Sequence, residues 1–260
     1  MDLKLPPVLS VEHVVEYFTE HNLANVVTSS AGPELDVNDK LNQIVPYKPD
    51  IHDLYRLHKI ISLYKRTTVL EFGTGWSSKV MANALLNNKQ KYYSDVKSLR
   101  RNNPFELFVV DDSKHYLDLS SSRLTKEEAE IASFHYSGTF MGKFNDRICT
   151  YYDHMPMVNP DLIYLDGPDQ FLTQGDVNNF STRHPDMMPM SADILRFEHF
   201  LTPGTILIVD GRAANTRFLI SNFQRNWDYF YDMQLDQHIF FLNELPLGRF
   251  NKRQIDFYSS

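Results

Sequence analysis

Apolar and polar positions change their rhythm near residue 65. Upstream the spacing is helical. Ser10 is placed to cap a helix over 11–19, and Ile51, Leu54, Leu57, His58, Ile61 and Tyr64 share one face of another. Between them, 29–39, with Gly32 and Pro33, reads as a loop, and 46–50, opening on Pro46, breaks the chain. From Thr67 onward, short apolar runs alternate with helical patterns. The runs predict strands at 67–72 (TTVLEF), 105–110 (FELFVV), 147–152 (RICTYY), 162–165 (LIYL) and 205–209 (TILIV). Helices are expected after Gly75, from the capping box Thr125–Glu128, from Ser191 to Leu201, and over 213–223. Short apolar strands separated by helices are the signature of a parallel sheet covered on both faces. The last two runs, 227–233 and 238–242, are joined by so short a link that only an antiparallel hairpin fits, since a parallel crossover needs about a dozen residues.

In an open α/β sheet, ligands bind at the carboxyl ends of the strands. Each of the five expected parallel strands ends in a useful group: Gly73-Thr74-Gly75, Asp111, Tyr152-Asp153-His154, Asp166 and Asp210. A Gly-x-Gly turn between a strand and a helix lets the backbone bend sharply and approach a ligand closely.

The run VLEFGTGWSS resembles the E-x-G-x-G loop of class I S-adenosylmethionine (SAM)-dependent methyltransferases. VVDDS, DLIYLDGP and LTPGTILIVDG resemble the second, fourth and fifth strands of that family, so the likeness spans roughly 67–242. It implies an α/β fold with a Rossmann-like, mostly parallel sheet of seven strands ending in an antiparallel hairpin. Residues 66–260 would form the SAM-binding domain and 1–65 an N-terminal helical extension. It places Glu71, Gly73, Thr74 and Gly75 around the amino-acid part of SAM, with Ser77 opening the next helix, where free N–H groups and hydroxyls meet a carboxylate. Asp111, with Asp112 in reserve, takes the place of the acid that accepts from the ribose hydroxyls. Asp153 and His154 fall near the adenine position, and Asp166 faces the methyl-transfer cleft. The implied reaction moves a methyl group from SAM to an oxygen or nitrogen of a small molecule or saccharide and leaves S-adenosylhomocysteine.

The chain departs from the family pattern in three places. About 35 residues separate Gly75 from Asp111 where about 20 are usual, which reads as an insertion over 88–104. No His follows Asp166-Gly167 closely; Pro168-Asp169 stands there. Asp166 and Asp210 match two carboxylates that hold a cation in some O-methyltransferases, but Gly211 replaces the third ligand. No metal is assigned, with Asp169 and Asn215 as conceivable substitutes. The segment from Gly167 to Met190 has no clear period and carries Gln170, Arg183 and His184. Loops of such length are commonly lids or binding loops, so Asp166 and His184 are the candidate catalytic bases. Two other readings compete. In a NAD-dependent oxidoreductase the third glycine would stand where Ser78 is, and the acid would come sooner. A non-catalytic binding protein would keep the fold without the chemistry.

Composition narrows the partners. Of 260 residues, 42% are hydrophobic, enough for a full core. The formal net charge of -7 gives no general attraction to nucleic acid, and the basic cluster from Lys89 to Arg101 reads as a solvated linker. The single cysteine, Cys149, precludes a disulfide within one chain and reads as a core residue. No cationic leader or long apolar run is visible, so a cytoplasmic enzyme away from membranes is expected, with oligomerisation open.

Overall fold

The structure, a computed structural model, describes residues 3–30, 48–184 and 186–260. Most of the expected 29–39 loop, Pro46 and Pro185 lie outside those residues; Ser29 and Ser30 end a helix.

Helix α1 (Val11–Glu20) begins where predicted, with the Ser10 side chain accepting from His13 N–H. Helix α2 (Ala24–Ser30) follows. Helix α3 (Ile51–Leu63) is capped by Asp50, which accepts from the N–H groups of His52 and Asp53. These helices cover a small core of Val14, Phe18, Leu23, Val26, Leu54 and Val80. Leu57, Ile60 and Ile61 continue from α3 into the main core beneath the sheet.

Then come β1 (Thr68–Phe72), α4 (Trp76–Val96), β2 (Glu106–Asp111), α5 (Lys114–Ser122), α6 (Lys126–Ala129), β3 (Ala132–Tyr136), β4 (Thr139–Phe144), β5 (Arg147–Tyr152) and β6 (Leu162–Leu165). The chain closes with α7 (Asp193–Phe197), β7 (Ile206–Asp210), α8 (Ala213–Ile220), β8 (Trp227–Asp232), β9 (Gln237–Leu242) and α9 (Gly248–Ser259). The seven-stranded sheet has the order β3-β2-β1-β6-β7-β9-β8. Every pairing is parallel except those of β9 with β7 and with β8. This is the expected Rossmann-like α/β architecture, mostly parallel with a C-terminal antiparallel hairpin. Strand β1 lies inside the sheet, between β2 and β6, buried along its whole length.

One expected strand is misplaced. The run 147–152 is not the third parallel strand: β5 pairs antiparallel with β4 in a separate two-stranded ribbon. The sheet position belongs to β3, ASFHY, which pairs parallel with β2. The physical cause is burial. Strand β3 is an edge strand with partly exposed side chains, whereas Cys149 and Tyr152 of β5 are buried in the core cluster against the opposite face of the sheet. Apolar content reported burial rather than sheet membership.

Two smaller differences follow the same logic. The expected insertion 88–104 is in part helix, because α4 runs to Val96 and Asn88 is buried, donating to the carbonyls of Ile61 and Arg66. The helix expected from Ser191 shortens to α7 and a 3₁₀ turn, Glu198–Phe200. Ser191 Oγ donates to the Asp193 carboxylate (3.1 Å) instead of accepting from a first-turn N–H. Among the described residues, no helix is long and apolar enough to cross a membrane.

Candidate functional site at the carboxyl rim of the sheet

Register brings the strand tips to one rim. Phe72 stands beside Val110 on one side and Leu165 on the other, and Leu165 beside Val209. The next residues are therefore neighbours across the rim: Gly73, Asp111, Asp166 and Asp210. Two backbone bonds fix this, Gly73 N–H to Val110 O (2.9 Å) and Asp166 N–H to Phe72 O (2.8 Å).

The glycine turn is shaped by packing on one side and open on the other. Gly73 has φ +93°, and a Cβ there would lie 2.8 Å from the Gly167 nitrogen. Gly75 has space around it: a Cβ would meet nothing closer than Ser77 Oγ at 3.8 Å. It precedes the first residue of α4, a 21-residue helix whose first turn has no side-chain cap. Free N–H groups at such a helix start are suited to an anionic group.

Glu71 points inward. It is fully buried, and its oxygens accept from the hydroxyls of Ser77 and Ser78, each at 2.5 Å. Ser77, expected to meet a ligand carboxylate, gives its hydroxyl proton to this internal one. Thr74 Oγ1 lies 3.0 Å from Ser78 Oγ and joins the same cluster. Burial pushes the Glu71 carboxyl up to about 8, against the lowering effect of the two hydroxyls. Glu71 thus pins the helix start to β1 from within the protein.

The two acids ending β2 separate by their bonds. Asp112 accepts from Thr139 Oγ1 (2.6 Å) and from Asp169 N–H (3.4 Å), so it ties the β4–β5 ribbon and the loop after β6 to the rim. Asp111 accepts only from Ser113 N–H (2.6 Å) among the described residues. Burial, with the Asp112 charge beside it, pushes Asp111 up to about 8. Asp112 rises to about 6, again through burial. Asp153 reaches this corner by another route. Although β5 lies outside the main sheet, Asp153 N–H donates to Gly138 O (2.9 Å) and His154 N–H to Ser137 Oγ (2.8 Å), while Ser137 N–H donates to Asp111 O (3.0 Å). The Asp153 side chain is half exposed and paired with His154 Nε2 at 3.0 Å.

Asp166 has a side chain 53% exposed, facing away from the core. Arg212, which the sequence did not single out, closes over it. Its Nη2 donates to the carbonyls of Asp166 (2.6 Å) and Pro168 (3.0 Å), and its Nε lies 3.6 Å from Asp166 Oδ1. Asp210 accepts from Tyr164 Oη (2.5 Å) and is pushed up to about 7 by burial and then by the Asp166 charge.

Helix α3 adds a further acid. Burial, followed by the charge of Asp210, pushes Asp53 up to about 8, and its Oδ1 is buried without a partner. The helix is held there by Arg56, whose Nη2 bonds Asp232 at 2.6 Å. Register links Asp232 to Gln237 and Gln237 to Asp210 across the hairpin. No local signal could have found Asp53 or Arg212, since each acquires its surroundings from residues far away in sequence.

His184 stands apart from these groups. It is exposed, its Nδ1 accepts from Asp186 N–H (3.2 Å), and its carbonyl accepts from Gln170 Nε2. None of its contacts reaches Asp166. The loop carrying it is stitched to the ribbon through Gln174, whose N–H donates to Thr139 O and whose carbonyl accepts from Met141 N–H. Asp169 caps its own loop, accepting from the N–H groups of Phe171 and Leu172, and Asn215 exchanges two bonds with Ser191. Among the described residues, no three acids, histidines or cysteines stand together as a metal site.

The rim has the features of a ligand cradle: an open glycine turn, a buried acid with spare acceptor capacity, and orphaned polar atoms. Tyr152 Oη is buried without a partner beneath it, with its ring stacked on Phe72. Arg212 Nη1 is likewise buried without an acceptor among the described residues, and its Nε has only the 3.6 Å contact with Asp166. Such atoms are uncommon in folded proteins and call for an explanation.

The sequence matches no family model and no curated protein. Among solved structures it is similar to the O-methyltransferase TomG from Streptomyces achromogenes, in complex with SAM (12% identity, 93% of each chain, TM-score 0.39). It is similar also to an O-methyltransferase from Bacillus cereus in complex with SAH (11% identity, 91% of this chain and 93% of the other, TM-score 0.40). A third is cofactor-bound Rv0187 from MTB (10% identity, 93% and 100% covered, TM-score 0.46). Likenesses this distant carry no argument about activity, which rests on the rim itself.

Proposed function

We propose that this protein is a SAM-dependent methyltransferase that methylates an oxygen or nitrogen of a small molecule or saccharide and releases S-adenosylhomocysteine. The observation that carries the reading is the adjacency of the open Gly73–Gly75 turn and the under-used Asp111 on one rim, joined by the Gly73–Val110 bond. In this reading residues 66–260 are the cofactor-binding unit and 1–65 an N-terminal extension.

The residues present fit the cofactor. The α4 N–H groups and the Gly75 backbone would receive its amino-acid part. Asp111 would accept from the ribose hydroxyls, with Asp112 holding the neighbouring loop, and Asp153 and Ser137 lie where the adenine would follow. SAM supplies an electrophilic methyl on a sulfonium. The protein then has to orient the acceptor in line, exclude water and remove a proton from a hydroxyl nucleophile. Asp166 is the proposed proton acceptor, kept on the cleft side by Arg212, with His184 as the alternative on the adjoining loop. Titratable groups pushed toward neutrality by burial cluster at functional sites, and Glu71, Asp53, Asp111 and Asp210 are such groups.

Calorimetric titration of the whole chain with SAM, S-adenosylhomocysteine and NAD+ tests the reading. Saturable binding of the first two and none of the third is expected. Binding of NAD+ alone, or of none of the three, contradicts it.

A further inference from the structure

A second cavity, of about 970 Å³, opens away from the glycine turn. Thr68 at the start of β1, Asn103 before β2 and Thr202 before β7 mark its floor as the amino ends of the strands. From there it extends along the sheet face past Leu70 toward Tyr152. Its volume falls within the range of small-molecule pockets, roughly 300–1,000 Å³.

Next to its floor lies an unbalanced charge. Arg66 is fully buried and donates through Nη1 to the carbonyls of Asp161 and Gly204, while the Arg101 side chain is 5% exposed and reaches the Asp161 carboxylate. Asp161 already accepts from Thr67 N–H and Oγ1, Thr68 N–H and Tyr258 Oη. Arg101 is left with a 3.5 Å contact to that carboxylate and one bond to Asn159 O (3.0 Å). Its Nε is buried without an acceptor, as are Nε and Nη2 of Arg66. A buried charge is costly unless paired and hydrogen-bonded, and guanidinium groups retain theirs.

Arg101 lines the cavity together with the cations Arg100 and Arg196. The acids on the lining are otherwise engaged. Asp153 pairs with His154, and Asp193 accepts from Ser191 Oγ and Tyr152 N–H. Burial also pushes Asp193 up to about 7. The remaining wall is largely apolar, with Leu70, Met155, Val158, Phe197 and Phe250. Phe250 is flanked by the guanidiniums of Arg100 and Arg249, at 5.6 and 4.9 Å from its ring.

We propose that this cavity binds a small amphipathic anion: a carboxylic acid with a flat aromatic or short aliphatic body. The anionic head would sit at Arg101 and Arg100, and the body would lie against Phe197 and Phe250. A planar oxyanion matches the fork of a guanidinium and completes the pairing that Asp161 leaves unfinished. The anionic head would sit at the amino ends of the strands, away from the glycine turn, while the far end of the cavity reaches Tyr152 and Asp153 beside the methyl-transfer rim.

The test uses 2-naphthoate and its neutral counterpart 2-naphthamide, titrated calorimetrically into the full chain with and without saturating S-adenosylhomocysteine. Saturable naphthoate binding is expected, with the amide at least about tenfold weaker because it lacks the charge. Naphthoate binding should persist under saturating S-adenosylhomocysteine, since Arg101 and the glycine turn lie at opposite ends of the strands. Arg101→Gln should weaken the acid about tenfold or more and the amide little. Should Arg101→Gln fail to fold, the exposed pair Arg100→Gln/Arg196→Gln replaces it and should weaken the acid at least about threefold. Absence of saturable naphthoate binding, equal affinity for acid and amide, complete loss of naphthoate binding under saturating S-adenosylhomocysteine, or unchanged affinity in a folded variant would each overturn the proposal.

Discussion

Gly73 and Gly167 leave no room between them for a side chain. A Cβ on Gly73 would lie 2.8 Å from Gly167 N and 2.9 Å from the Asp166 carbonyl carbon, and one on Gly167 would press into the Gly73 backbone. This contact seats the β1 turn against the β6 tip, and so sets how far Asp166 stands from the glycine turn. Gly73→Ala should destabilise the fold by about 2 kcal/mol or more, from the positive φ and the overlap together. Gly75→Ala, with open space around it, should leave stability near wild type and weaken SAM binding instead. Urea denaturation of the two variants, with SAM titrations of each, separates these effects. Equal urea midpoints for Gly73→Ala and wild type would refute the packing argument.

Buried carboxyls make stability depend on pH in a direction opposite to that of ordinary surface acids. The Glu71 carboxyl is held near 8 in the folded protein, against an ordinary value of 4.5. Between those values the folded chain holds a proton that the unfolded chain has released, so stability falls as pH rises. The contribution is complete below about 4.5 and is lost as pH climbs through about 8. Glu71→Gln should therefore flatten the decline in urea midpoint between mildly acidic and mildly alkaline buffers. Asp53, Asp111 and Asp210 keep part of the slope, since they shift the same way. Parallel pH profiles for variant and wild type would contradict the assignment.

The two neighbouring acids should fail differently. Asp111→Asn should cost about 1.5–3 kcal/mol of SAM binding in mildly alkaline buffer, where the Asp111 carboxyl is ionised and its hydrogen bonds are charge-assisted, while the fold persists. Asp112→Asn should loosen the Thr139 and Asp169 attachments, lowering thermal stability more than cofactor affinity. Calorimetry paired with thermal melts of both variants decides, and a reversed pattern would exchange their roles.

Much of the rim was legible in the sequence because its signals are local. A glycine turn between an apolar strand and a helix, and acids directly after apolar runs, need only a few consecutive residues. What escaped was set by distant packing. RICTYY reads as the third parallel strand because it is largely apolar, yet Cys149 and Tyr152 are buried against a face of the sheet and β5 pairs only with β4. ASFHY is the real sheet strand, and its edge position leaves it too polar to stand out. Asp53 and Arg212 look like ordinary helix-end residues until the fold carries them to the rim.

Arg56 and Asp232 form the clamp that holds Asp53 in place. The pair is 2.6 Å apart, with the Arg56 side chain 2% exposed. Arg56→Ala should destabilise by about 1.5–3 kcal/mol, the worth of a hydrogen bond to a charged group, since Asp232, the partner left behind, is partly exposed. Arg56→Met, which removes the charge but keeps much of the volume, should cost less and still release α3 from the hairpin. Hydrogen exchange of the α3 amides measures that release; unchanged protection in Arg56→Met would show that packing alone positions the helix.

The central claim is the shared grip of the glycine turn and Asp111 on one nucleoside. A crystal structure of the chain with S-adenosylhomocysteine tests it most directly. The account predicts the ribose hydroxyls on Asp111 and the amino-acid part over Gly75 at the start of α4. Density for the ligand elsewhere, or a rim filled by its own side chains with no ligand between Gly75 and Asp111, would contradict it.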